Sequence, residues 1–245
     1  MFILFSPVTL CIIAALFPAL FLMRVIYRQD KIEKEPGGLL LSLIFMGVLA
    51  ALAAMVLENI GEKILTTFVH PDNPFFVILF AFLVVALAEE GAKYFLMRRK
   101  TWRNPNFNYT FDGIIYAVFV SLGFAGFENI GYVMGYGLSV APARALLAIP
   151  GHLAFSVFMG FYYSRAKTAF LDGNRSAQRA YERLALIVPV FLHGLYDACA
   201  MSGTSISALL FFAFVIIVDI AVFRVVRHES RADRPVYTLF LRRLF

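Results

Sequence analysis

The sequence predicts an all-α, polytopic membrane protein of about seven transmembrane helices, and three observations carry that expectation. Of its 245 residues, 61% are apolar and only 16% charged, with a mean hydropathy of +0.78; ordinary soluble domains run at roughly half apolar and a quarter charged. Several apolar runs exceed the ~18–20 residues needed to cross a bilayer. No sustained period-2 alternation appears, so the runs are helices and not strands of a barrel. A soluble domain of this size has no interior that would hide 27 Phe. Soluble, secreted and disordered classes are excluded.

Seven runs qualify in order: Phe2–Met23, Gly38–Leu57, Phe75–Met97, Gly113–Tyr136, Ala143–Tyr163, Leu184–Met201 and Ser205–Val226. The first lacks a basic leader and is long for a signal sequence, so a retained span is expected. Lys and Arg in the connections test the division. The first, third and fifth loops hold four (Arg24, Arg28, Lys31, Lys34), four (Arg98, Arg99, Lys100, Arg103) and five (Arg165, Lys167, Arg175, Arg179, Arg183). The second and fourth hold one each (Lys63, Arg144), the sixth none, and the segment from Arg224 onward six. Rich and poor loops alternate, which places the N-terminus outside and the C-terminus in the cytoplasm. One transmembrane domain over 1–245 is expected, with a chemistry-bearing core at about 75–201 and an Arg-rich tail at 227–245. That tail either retains topology or lies on anionic lipid. The net charge of +6 is dispersed between the runs, which is no nucleic-acid footprint. Cys11 and Cys199 fall inside apolar runs and read as packed free thiols.

Ionisable side chains inside spans are costly, on the order of 2.5–3.5 kcal/mol each by insertion scales, and this chain carries a cluster of them. The third run holds Glu89, Glu90 and Lys93, the fourth Glu128 and Asn129, the fifth His152, and the sixth His193 and Asp197. Glu89 and Lys93 are one turn apart, so the ammonium can hold a carboxylate ionised in a poor solvent; Glu90 reaches Lys93 as i,i+3. His193 and Asp197 are also i,i+4, spaced for the carboxylate to orient the imidazole or for both to coordinate one metal. His152 follows Pro150-Gly151 and His193 lies four residues after Pro189, each beside a local helix break. Glycines in the fourth run (Gly123, Gly126, Gly131, Gly135) read as close helix packing. Glu58 and Asp219 read as helix-end or structural groups.

Carboxylates, two imidazoles and an ammonium converging between helices make a general-base site for activating water. A metal centre built on His152, His193 and Glu128 or Asp197, with Glu89 as base, stands beside the metal-free version; a mixed His/carboxylate set suits zinc. A proton- or cation-coupled transporter would use the same groups as an ion path, and a scaffold would keep the helices for a membrane partner. Depth poses a difficulty: Glu89 falls ~21 Å below the outer end of its run and Glu128 only ~12 Å below the outer end of its own. A joint site needs tilt, a shifted boundary or a water-filled cavity.

The motifs also resemble a known family. Glu89-Glu90-Gly91-Ala92-Lys93 resembles the EExxK motif of the PrsW intramembrane proteases. Phe111-Asp112-Gly113 with Tyr116, and Gly123 to Phe127-Glu128-Asn129, resemble its FDG…Y and FxxxE-N segments. Gly151-His152-Leu153-Ala154-Phe155 and His193-Gly194-Leu195-Tyr196-Asp197 resemble its two histidine motifs, all in order over roughly residues 80–200. The wider group that includes the CAAX-processing endopeptidases carries His where this chain has Glu128 and Asn where it has Asp197, which favours the PrsW branch. The resemblance implies a multi-pass protease of the bacterial inner membrane that cuts membrane-anchored proteins of the anti-sigma-factor kind. It implies Glu89 as the water-activating base, with Glu90, Glu128, His152, His193 and Asp197 in the site and Lys93 and Asn129 in support.

Overall fold

A computed structural model, which describes residues 6–236, arranges the chain as helices α1 (Pro7–Gln29), α2 (Gly37–Phe68), α3 (76–101), α4 (Asp112–Tyr136), α5 (Leu138–Leu171), α6 (Arg175–Met201) and α7 (Ser205–Arg231). Among the described residues the only extended pairing is an isolated bridge between Tyr109 and Pro235. All but α3 are long and apolar enough to cross a membrane. The exception is α3, whose second half carries Glu89, Glu90, Lys93 and the basic run Arg98–Lys100. This is the expected third span, loaded with charge by its own functional cluster. The expected first span begins at Phe2, so its first four residues lie outside the described part, as does the tail beyond 236.

The ends of the helices follow local chemistry. Ser6 caps α1 by accepting from the Thr9 amide, Asn174 caps α6 by accepting from Ala177, and Thr204 and Ser207 form a reciprocal capping box at α7. These caps satisfy amides that have no partner within the helix. Gly137 ends α4 at φ +85°, a conformation that a side chain would strain.

Helix α4 is the axis of the bundle. Every residue from Asp112 to Gly126 is buried, and α1, α2 and α5 all pack on it. Small residues make this closeness feasible. A Cβ on Gly47 of α2 would lie 2.1 Å from the Val120 carbonyl, and one on Gly160 of α5 would lie 2.4 Å from the Gly113 carbonyl. The packing expected of the α4 glycines therefore holds for Gly123, which meets Ile44, and for Gly126, whereas Gly131 and Gly135 have no neighbour within 4 Å.

The difference in depth does not keep the two groups apart, because Glu89 and Glu128 line one cavity. Helix α2 runs to Phe68 and not to Leu57, and 11 extra residues lengthen it by about 16 Å. The α2–α3 connection therefore projects farther than the hydropathy boundaries imply.

At the arginine-rich end, the 30–36 connection folds its carboxylates inward. Asp30 and Glu35 are buried, and the Tyr116 hydroxyl of α4 donates to Glu35 Oε1 at 2.7 Å. Lys34 donates to the carbonyls of Tyr27 and Asp30, which folds the connection back on α1. Burial pushes the Glu35 carboxyl up to about 7, with nearby Asp30 and Glu33 adding to the rise; burial, with Asp233 and Glu33 close by, pushes Asp30 up to about 6. A carboxyl raised on folding binds more protons folded than unfolded, so stability falls as pH rises from the ordinary carboxylate range, about 4, through the folded values. The melting temperature of the purified protein in detergent should therefore drop between pH 5 and pH 7.5. Glu35→Gln, which keeps an acceptor for Tyr116, should flatten that slope; an unchanged slope would show that Glu35 does not contribute to it.

Candidate active site

Five helices bring their polar groups to one cavity of about 870 Å³, lined among others by Glu58, Glu89, Glu128, Arg144, His152, His193, Tyr196 and Asp197. At its base, the Lys93 ammonium donates to Glu89 Oε2 at 2.9 Å and to Glu90 Oε1 at 2.8 Å, and contacts His152 Nδ1 at 3.2 Å. Lys93 and Glu90 are fully buried. His193 Nδ1 meets Glu90 Oε1 at 2.9 Å, and its Nε2 meets Asp197 Oδ2 at 3.3 Å. His152 Nε2 meets Glu128 Oε2 at 3.2 Å.

Hydrogen-bond logic orders the protons. An ammonium only donates, so His152 Nδ1 accepts from Lys93 and the neutral ring carries its proton on Nε2, which donates to Glu128. Aromatic faces wall the cluster. Lys93 Nζ sits 3.9 Å from the Phe124 ring centroid, and Phe155 stacks on His193 at 4.9 Å. A cation over an aromatic face is favoured, more so when desolvated.

Two departures from α-geometry set the register. The first half of α3 is π-helical over Phe80–Ala86, directly before Glu89 and Glu90, and α5 is π-helical over Arg144–Ala148, directly before His152. A π segment adds a residue without adding a turn, and such segments are frequent at functional sites. Pro150 follows at the junction with the regular part of α5, where it has no amide to give to the helix ladder. The Ser121 hydroxyl of α4 donates to the His152 carbonyl at 3.0 Å, which ties this stretch of α5 to the central helix.

Every site residue expected from the sequence is in this network: Glu89, Glu90, Lys93, Glu128, Asn129, His152, His193 and Asp197. Asn129 lies one step out, donating to the Ala15 carbonyl at 2.8 Å. Two participants differ from the sequence expectation. Glu58, expected as a helix-end group, lines the cavity because α2 extends past it. Arg144, expected as a loop charge, lies inside α5 and donates to Glu128 Oε2 at 3.0 Å. Asp219 stays apart, lining a groove on α7 with Arg224 and Arg227.

The chain is similar to known proteins over most of its length. Residues 35–224 match the family model described as PrsW family intramembrane metalloprotease. The chain belongs to the PrsW family. Proteins named Protease PrsW are similar to it over most of their length. That of Geobacillus kaustophilus is 36% identical over 186 residues, 75% of this chain and 76% of the relative. The Bacillus subtilis protein is 34% identical over 75% of this chain and 79% of its own, and that of Clostridioides difficile 31% identical over 83% and 84%. No solved structure matches. As a PrsW protein the chain is a multi-pass intramembrane protease acting on protein in the membrane, and the transporter and scaffold readings give way.

The family description implies a metal, and the residues here fit one. Glu89, Glu90 and His152 each offer a ligand atom within 4.8 Å of the others, the one such group among the described residues. Glu90 Oε2 is buried with no hydrogen-bond partner. The ligand-spaced group thus comes from α3 and α5, while Glu128 and Asp197 each engage a histidine ring.

The ammonium is the counter-ion of two carboxylates that have no water to turn to, and removing one partner of a buried pair is strongly destabilising, ~3–5 kcal/mol. Lys93→Met should therefore lower the midpoint of thermal unfolding in detergent substantially, while the exposed Lys63→Met leaves it in place. A Lys93→Met protein as stable as the wild type would show that the carboxylates hold protons or a metal instead.

Proposed function

We propose that the chain cleaves a peptide bond of a membrane-anchored regulatory protein, of the anti-sigma-factor kind, using water activated by Glu89. The observation that supports this most is the meeting of Glu89, Glu128, His152, His193 and Asp197 on one cavity. Glu89 faces that cavity, whereas Glu90 is sealed behind it, so Glu89 is the carboxylate that can take a proton from an entering water. Glu90 anchors both Lys93 and His193 through one oxygen. His193, held between Glu90 and Asp197, is aimed to pass a proton to the leaving amine. His152, its tautomer set by Lys93 and Glu128, turns its one ring lone pair to the Lys93 ammonium and would give up that contact to bind a metal. A divalent metal, zinc by the chemistry of its donors, would be held by Glu90 and His152 with Glu89 beside it. When bound it would supply Lewis-acid polarisation of the scissile carbonyl. The arginine-rich end of the bundle faces the cytoplasm of a bacterial inner membrane, which opens the cavity toward the opposite side.

Two variants separate the roles. Glu89→Gln should reduce cleavage by about 10²–10⁴-fold while leaving the zinc content of the purified protein unchanged. Glu90→Gln should lose both activity and zinc, measured by elemental mass spectrometry. Newly formed N-termini in the membrane proteome, compared between wild-type and Glu89→Gln cells, would identify the substrate. Unchanged cleavage by Glu89→Gln removes it as the base; full activity in the presence of a strong chelator, with no zinc retained, removes the metal.

A further inference from the structure

Arg144 has no role in the mechanism above, yet its guanidinium is the best-held cation at the cavity wall. Its Nε donates to Asn129 Oδ1 at 2.7 Å and its Nη2 to Glu128 Oε2 at 3.0 Å, while the group lies 3.7 Å from the Tyr132 ring centroid. Asn129 cannot turn away, because its amide donates to the Ala15 carbonyl of α1. The Asn129 oxygen must then face Arg144. Glu128 Oε2 is shared by Arg144 and His152 Nε2. A fork of fixed shape therefore joins the backbone of α1, through Asn129, to the carboxylate that sets His152.

The register of α5 explains how a residue eight positions from His152 comes to this place. In an unbroken α-helix, residues i and i+8 point about 80° apart. The intervening π segment Arg144–Ala148 takes up one extra residue, roughly 100° of rotation, which brings the two side chains onto one face. Without it Arg144 would turn off that face, away from Glu128.

We propose that Arg144 is a positioning residue for the protease reaction: it fixes Glu128, and through Glu128 the tautomer and orientation of His152. The planar guanidinium serves two acceptors at once, which a point-charge ammonium matches poorly. The inference rests on the proposed active site and adds to it a residue that acts without touching the scissile bond.

Chemical rescue tests it. The full chain in liposomes is assayed with a quenched-fluorescence, single-span peptide that the wild type cleaves. Arg144→Ala should lower kcat by about 10–100-fold, as loss of a supporting partner does, with KM within about twofold. Guanidinium chloride at low millimolar concentration should restore at least about tenfold of that loss, and ammonium chloride should not. A merely structural ion pair would not show rescue that discriminates between these cations. Should Arg144→Ala fail to fold, Arg144→Lys is read in the same assay, with reduced kcat at unchanged KM expected. Arg144→Ala activity within threefold of the wild type, loss that guanidinium does not restore in a folded protein, or wild-type kcat in Arg144→Lys overturns the proposal. Glu90→Gln run in parallel keeps the two readings apart. Full activity there overturns the active site itself, whereas an inactive Glu90→Gln beside an active Arg144→Ala overturns only the role of Arg144.

Discussion

The ammonium of Lys93, fully enclosed among Glu89, Glu90, His152 and the face of Phe124, is the contact on which the remaining architecture turns. A lone charge at this depth would be costly in a membrane, and two adjacent carboxylates would be worse. Together they are tolerable, provided each finds its partners at hydrogen-bond distance. That requirement explains why three helices must meet here with little freedom. Helix α3 supplies the ion pair, α5 supplies His152 as acceptor, and α6 supplies His193 to take the second contact of Glu90. The glycine contacts along α4 are the mechanical side of the same demand. They allow α2 and α5 to close on the central helix, so that Glu128 and Phe124 reach the cluster from the fourth side.

Polarity in this bundle is graded and not spread evenly. Glu90 and Lys93 are sealed, Glu89 and the histidines touch the cavity, and Arg144 and the exposed Tyr132 line its wall. A protease needs this gradient. The groups that set charge are shielded from exchange with water, while those that handle protons must reach it. The paired arrangement of imidazoles against carboxylates, His152 with Glu128 and His193 with Asp197, holds each ring by one nitrogen and leaves the other to the α3 cluster, Lys93 for His152 and Glu90 for His193. The rings thereby become rigid parts of the wall and not mobile side chains in a wet pocket.

Much of this was legible in the residues. The spans, and the identity of the buried polar groups, followed from hydropathy and from the cost of charge in lipid, and HxxxD and EExxK spacing placed partners on a common face. What the sequence concealed had physical causes. Glu58 lies past the apparent end of its span, because Leu57 ends the apolar run while the helix continues in polar residues that local propensity sustains. Arg144 looked like a topology charge, since a lone arginine between two apolar runs is ordinarily that. Only the π segment turns it inward, and π segments leave no signature in hydropathy. Helix α3 is the converse case: it is apolar enough by hydropathy, but Glu89, Glu90 and Lys93 load it with more charge than a spanning helix ordinarily carries, and their burial and partners make it part of the bundle.

The two π segments share a position that bears on how such a site is built. One immediately precedes Glu89 and Glu90, the other precedes His152. Each lies between a stretch of helix that packs by apolar contact and a stretch that must aim polar groups inward. With a single α-helical phase, the face that suits packing near the end of the span would fix which residues point inward at its middle. Inserting one residue without a full turn uncouples the two, at the cost of poorer backbone geometry. Such geometry persists where surrounding contacts over-determine it, and here the Lys93 ion pairs and the Ser121 bond to the His152 carbonyl supply those contacts. The polar cluster thus stabilises the irregular helices that create it, and neither half of the arrangement would be favourable without the other.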